Sequence, residues 1–240
     1  MVKIIAEGND GRYSMNQLLV ILEALRSPDG CPWDREQTHQ SIRNNAIEEV
    51  YEVADAIDNF DKDALCEELG DVLLQVVFHA QIAREKGEFT FEEVVDGICK
   101  KLILRHPHVF GEEHIETSSA VLDRWEAIKK KEKHQEPATE TLKSVPKAFP
   151  ALMRAAKVQK RAGKAGVVLE DPIENGELLK AADELKNAVT DSEKFAAYGK
   201  LLFLSAGIQN SLKINAEEAL AAATDSYISD FEEKEKNGTL

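Results

Sequence analysis

The stretches NNAIEEVYEVADAI (residues 44–57) and CEELGDVLLQVVFHA (66–80) decide how this chain reads. Both place apolar residues at three- and four-residue intervals, the period of an α-helix with one buried face. Both also carry acids at those intervals: Glu48, Glu49 and Glu52 in the first, Glu67, Glu68 and Asp71 in the second. Because positions three and four apart share a helix face, Glu48, Glu49 and Glu52 form one acidic cluster and Glu68 with Asp71 another. The short NFDKD turn (59–63) lets the two helices pack antiparallel, so that their acidic faces converge.

Working outward from this pair, apolar residues recur at helical spacing almost throughout, while alternating strand patterns and hairpin signals are nearly absent. The expected fold class is all-α. A first helix spans about Met15 to Arg26 and ends at SPDGCPWD, where Pro and Gly break it. Thr38 or Ser41 is the expected cap of the helix reaching Asn59, Asp61 that of the next, which ends near Gly87. Thr90 with Glu93 has the capping-box signature, and its helix stops before Pro107. Four helices with short links imply an antiparallel bundle. A helix from about Ser119 to Lys133 carries Trp125 and Lys129, and the polar stretch HQEPATETLKSVP follows it. The expected organisation is a helical module over 1–134, a linker over 135–146 and a second module over 147–240.

The second module reads as a degenerate copy of the first. AYGKLLFLSAG (197–207) lies over ELGDVLLQVVF (68–78), and DELKNAV (183–189) over YEVADAI (51–57). In this register Glu49 is replaced by Ala181, Glu68 by Ala197 and Asp71 by Lys200, and only Glu184 is kept, for Glu52. Lys101 and Arg105 fall on Ser226 and Asp230. The second copy begins with the basic segment KAFPALMRAAKVQKRAGKAG, whose Arg154, Lys157, Lys160, Arg161 and Lys164 read first as a solvated helix face.

Composition narrows the function. The 240 residues suffice for one large core or two small ones, and 43% are hydrophobic. A formal charge of −14 repels nucleic acids and anionic membranes, so neither is an expected partner. The three cysteines, Cys31, Cys66 and Cys99, lack metal-ligand spacing and read as reduced thiols. With no apolar run long enough for a bilayer and no cleavable leader pattern, the expected location is the cytoplasm.

Crowding carboxylates in a partly dry cleft is unfavourable, because each anion loses hydration and repels its neighbours. A bound divalent cation removes that penalty. An all-oxygen donor set suits a hard ion, Mg²⁺ or alternatively Mn²⁺, and the absence of Glu-x-x-His pairs disfavours di-iron. Ordinary surface glutamates are the competing reading, since 31% of the chain is charged. Against it, no basic residue stands between Ala46 and Asn59 to pair with them at i, i+4. Lys101 and Arg105 share a helix face and suit either phosphate or the helix C-terminus. Trp33 and Trp125 suit either base stacking or packing.

GCPWDREQTHQS (30–41), EEVYE (48–52), EELGDVLLQVVFHA (67–80), RHPHVFG (105–111) and the Trp125 segment together resemble the MazG family of nucleoside triphosphate pyrophosphohydrolases. The resemblance spans nearly all of 15–165 and continues weakly beyond. It implies tandem MazG-like bundles and metal ligation by Glu49, Glu52, Glu68 and Asp71, with Glu48 as catalytic base. It further implies substrate contacts from Lys101, Arg105, Trp33, Trp125 and Lys129. The implied reaction converts a nucleoside triphosphate to the monophosphate and pyrophosphate, in a homodimer that cleans the nucleotide pool. The alternative is a non-catalytic, metal-dependent nucleotide sensor or helical assembly protein.

Overall fold

The computed structural model describes residues 11–132, 137–167 and 170–239. Among them the chain forms twelve helices and no strand, in agreement with the all-α expectation. It divides into two compact units, Met1–Ile128 and Lys129–Leu240.

In unit 1, helix starts follow local capping chemistry. α1 (Met15–Arg26) opens with a capping box in which Gln17 N donates to Ser14 Oγ and Ser14 N to Gln17 Oε1. After the short α2 (Pro32–Glu36) and α3 (Arg43–Asp58), α4 (Lys62–Lys86) starts at Asp61, whose carboxylate accepts from Asp63 N and Ala64 N, both at 3.0 Å. α4 ends at Gly87, whose φ of +70° suits a residue without Cβ. α5 (Phe91–Arg105) has the expected Thr90–Glu93 box, and α6 (Pro107–Phe110) and α7 (Ser118–Glu132) complete the order.

The start of α3 departs from expectation. Thr38 and Ser41 do not cap it: Thr38 N donates to Ser41 Oγ at 2.9 Å and Ser41 N to Thr38 Oγ1 at 3.2 Å, which closes a separate turn. The cap position falls to Ile42, which has no polar side chain but is buried in the core. Burying this side chain sets the register, because it contributes about 1.5–3 kcal/mol, as much as a good cap or more.

That core consists of Leu22, Ile42, Val77, Phe78 and Ile82, flanked by Leu18, Leu19, Leu74 and Phe91. It grips α4 in its C-terminal half. Arg26, at the end of α1, locks the same region with a side chain that is 5% exposed. Its Nε and Nη2 donate to the two Glu85 oxygens at 2.8 and 2.7 Å, and Nη1 to the carbonyls of Asp34 and Gln37. The guanidinium carbon also lies 5.3 Å from the Phe78 ring centroid. Only a planar, five-donor group satisfies all these directions.

A second tie joins the 38–42 turn to α4. His39 and His79 stack with centroids 5.1 Å apart, and their Nδ1 atoms approach to 2.8 Å. One of these nitrogens must donate and the other must stay bare. Glu88 Oε2 lies 3.7 Å from His39 Nε2.

Unit 2 contains α8 (Ala138–Lys143), α9 (Ala151–Lys164), α10 (Glu177–Asn187), α11 (Asp191–Leu212) and α12 (Ala216–Lys236). α9, α10 and α12 all pack on α11, and the helices approach through the buried Ala156, Ala181 and Ala206. The stretch 135–146 was expected as a linker, and its residues 135 and 136 lie outside the described residues. The remainder instead holds α8, because Arg161 Nη1 donates to Thr141 O at 2.6 Å and Ser144 Oγ at 2.7 Å while Val145 is fully buried. Within the basic face of α9, Arg161 is therefore a clamp, and the Lys157 ammonium sits 5.0 Å from the Phe149 ring centroid.

Two outcomes follow for unit 1, which contains both tryptophans, Trp33 and Trp125. Arg26→Ala removes the donors to two carbonyls and is expected to destabilise the unit by about 2 kcal/mol, read by urea unfolding under tryptophan fluorescence. Burial first, and the neighbouring His39 second, lower the pKa of His79 from its ordinary 6.5. The unfolded chain then binds this proton more readily than the native one, so stability falls as pH drops through 6.5 and below. Melting temperature against pH should show that slope in wild type and a shallower one in His79→Gln.

Candidate metal centre

The α3–α4 connection is short enough to fix how the two acidic faces meet. Asn59 N donates to Asp55 O, Asp61 N reaches back to Ala56 O at 3.0 Å, and Phe60 between them takes a left-handed φ of +56°. The helices then run antiparallel, with the 49/52 face of one beside the 68/71 face of the other.

Carboxylate oxygens of Glu49, Glu68 and Asp71 all lie within 4.8 Å of one another, and all three residues are half-buried. Glu52 is exposed but lies within hydrogen-bonding reach of the Glu49 and Glu68 carboxyls. The crowding is visible in the proton affinities. Loss of hydration, then the charges of Asp71 and Glu52, pushes the Glu49 carboxyl above its ordinary 4.5. Glu68 is pushed up in the same way, first by desolvation and then by Glu52 and Asp71.

Such a group of oxygens gains from a positive charge placed among them. Oxygens around an octahedral Mg²⁺ at about 2.1 Å are at most about 4.2 Å apart, so small side-chain rotations would bring the observed set to that size. The donor set fits a hard divalent ion. Glu49, Glu68 and Asp71 are positioned to hold it, with Glu52 at the exposed edge.

The other residues singled out in the sequence are arranged less tightly. Glu48 is exposed and stands outside this trio, as expected for a residue about 100° around the helix from Glu49. Lys101 is exposed on α5, which packs on α4. Arg105, one turn further, is half-buried with its guanidinium carbon 6.0 Å from the Trp125 ring centroid, so two of the expected substrate residues meet. Trp33 is 57% exposed at the start of α2 and is not a core anchor. Lys129 falls in α7, but its side chain lies outside the described residues. His106, the C-cap of α5, bonds the Leu102 carbonyl through Nδ1 at 2.7 Å.

Sequence reasoning missed Arg26, His39 and His79, which brace the frame around these acids. The only local signal was the polar THQS run before α3, and it pointed to a cap instead.

An all-α chain whose adjacent helices bring Glu49, Glu68 and Asp71 together is, by class, a helical bundle with an acidic cluster whose oxygens suit a hard cation. Residues 37–110, which include this centre, match the MazG nucleotide pyrophosphohydrolase domain. The chain is 42% identical over 221 residues to the nucleoside triphosphate pyrophosphohydrolase/pyrophosphatase MazG of Thermotoga maritima, covering 92% of this chain and 85% of that one. It is also 42% identical over 231 residues to a nucleoside triphosphate pyrophosphohydrolase of Escherichia coli K12, covering 92% and 87%. A third relative, the uncharacterized protein YabN of Bacillus subtilis, is 42% identical over 212 residues, which are 86% of this chain and 43% of that one. The chain belongs to the MazG family. Among the described residues no helix is long and apolar enough to cross a membrane.

Proposed function

We propose that this chain is a Mg²⁺-dependent nucleoside triphosphate pyrophosphohydrolase, a hydrolase acting on acid anhydrides. The observation that carries the reading is the convergence of Glu49, Glu68 and Asp71 inside the segment that matches the family domain.

In this reading water attacks the α-phosphorus, a new P–O bond forms, the bond to the bridging α–β oxygen breaks, and pyrophosphate leaves from the nucleoside monophosphate. Glu49, Glu52, Glu68 and Asp71 would hold Mg²⁺, for which Mn²⁺ could substitute. When bound, the ion lowers the pKa of water and neutralises charge on phosphate oxygens. Glu48, exposed and adjacent in sequence to the ligand Glu49, takes the proton of the attacking water. Lys101 and Arg105 contact the phosphates, Arg as a planar fork and Lys as a point charge. Trp33, Trp125 and Lys129 border the base and sugar. The raised proton affinity of Glu49 and Glu68 supports the reading, because a site that holds protons against crowding also gains from a cation. The physiological role is removal of canonical or damaged nucleotides from the cytoplasmic pool.

The enzyme acts as a homodimer. Leu69, Leu73 and Val76 form an exposed apolar stripe along α4, at 52%, 38% and 40% exposure, and a second copy would cover it. Light scattering should return twice the chain mass, and a monomer at micromolar concentration would remove this part.

Pyrophosphate release is to be measured over NTPs, dNTPs and oxidised nucleotides, with and without Mg²⁺. Wild type is expected to release pyrophosphate only with the metal. Glu49→Ala or Asp71→Ala should lower turnover by roughly a hundredfold or more while helical circular dichroism is kept. Metal-dependent nucleotide binding with no release over the whole panel would instead make the chain a sensor.

A further inference from the structure

The helix pair of unit 2 repeats the register of the pair that carries the acids in unit 1. Glu49, Val53 and Ala56 face inward from α3, and Ala181 and Leu185 of α10 with Ala188 at its C-cap do so with the same intervals. On α4 the inward positions include Glu68, Asp71, Val77 and Phe78, matched on α11 by Ala197, Lys200, Ala206 and Gly207. The helix starts give an independent check. Asp61 caps α4 ten residues before Asp71, and Thr190 caps α11 ten residues before Lys200. The links to the next helix, 59–61 and 188–190, are both three residues long, and α10 ends about a turn earlier than α3 in this register.

In this register three of the four acids are gone. Ala181, fully buried, stands for Glu49, Ala197 for Glu68, and Lys200 for Asp71, which leaves Glu184 in the place of Glu52. The two remaining polar groups have found each other. Lys200 Nζ donates to both oxygens of Glu184, at 3.0 and 2.8 Å, across the α10–α11 interface. Each shifts the other toward its charged form, Lys200 upward and Glu184 downward.

We infer that the Lys200 ammonium stands in unit 2 where a divalent cation stands in unit 1, so that α10 and α11 are joined by a charge built into the chain. The inference rests on the metal-centre reading of unit 1 for the ion that the lysine replaces. A fixed cation beside a single carboxylate leaves neither the room nor the negative potential for a second cation, so unit 2 takes neither Mg²⁺ nor a metal–triphosphate complex. Its helix pairing is then indifferent to metal supply, while that of unit 1 tightens when the ion binds.

Hydrogen–deuterium exchange of the full chain, in EDTA and in millimolar Mg²⁺ or Mn²⁺, tests this at residues 177–212 and 43–86 separately. Wild type is expected to show the same exchange at 177–212 in both conditions. Lys200→Met should speed that exchange roughly two- to fivefold without creating a metal response. Lys200→Asp combined with Ala197→Glu should speed it in EDTA and slow it again when either ion is added. Protection of wild-type 177–212 by the ions, or no effect of Lys200→Met, would overturn the inference. So would an acidic double variant that folds but ignores the ions. Should 43–86 not respond to the ions, the metal-centre reading of unit 1 fails by itself, while the responses at 177–212 still decide the present point.

Discussion

Three carboxylates held within 4.8 Å of one another on a half-buried helix face repel, and the rest of unit 1 is arranged around that repulsion. Left alone, Glu49, Glu68 and Asp71 would favour separating α3 from α4. They stay together because the frame is fixed elsewhere. The core of Leu22, Ile42, Val77, Phe78 and Ile82 grips α4 about 9 Å along the axis from Asp71, a distance of six residues at 1.5 Å each. The tight Asn59–Asp61 turn fixes the other end. Between these anchors, stability supplied by apolar burial offsets an electrostatic strain that a bound cation can relieve.

The braces are themselves polar. Arg26 converts the free carbonyls of Asp34 and Gln37 and the Glu85 carboxylate into one bonded group, which holds α1 and the CPWD segment on α4. The His39–His79 pair fixes the turn before α3, provided that the facing nitrogens are not both protonated. Loosening either brace would move α3 relative to α4, and with it the spacing of the acids. The spacing of the acids is therefore coupled to residues that never touch them. In unit 2 the same helix pairing is closed by Lys200 and Glu184, and no crowding of acids has to be offset.

Much of this was legible in the sequence because it is local. Ser14, Asp61, Gly87 and the Thr90–Glu93 pair mark helix ends through bonds within four residues, and the period of apolar residues gives the helices between them. The convergence of Glu49, Glu68 and Asp71 could be read from i, i+3 spacing and a short turn. The misreadings involve partners distant in sequence. Thr38 and Ser41 look like caps, but the start of α3 is set by Ile42 entering a core made mostly from α1 and α4. Arg26 with Glu85 and His39 with His79 join residues tens of positions apart, and no periodicity marks such pairs. The 137–146 stretch is polar enough to read as linker, yet Arg161, in the last turn of a different helix, supplies the donor that holds it.

Crystals of the full chain grown with Mn²⁺, with diffraction recorded at the manganese absorption edge, examine the central claim most directly. The account predicts an anomalous peak between α3 and α4, within about 2.2 Å of oxygens from Glu49, Glu68 and Asp71, and none between α10 and α11. An empty α3–α4 face with the three side chains turned apart into solvent would contradict it.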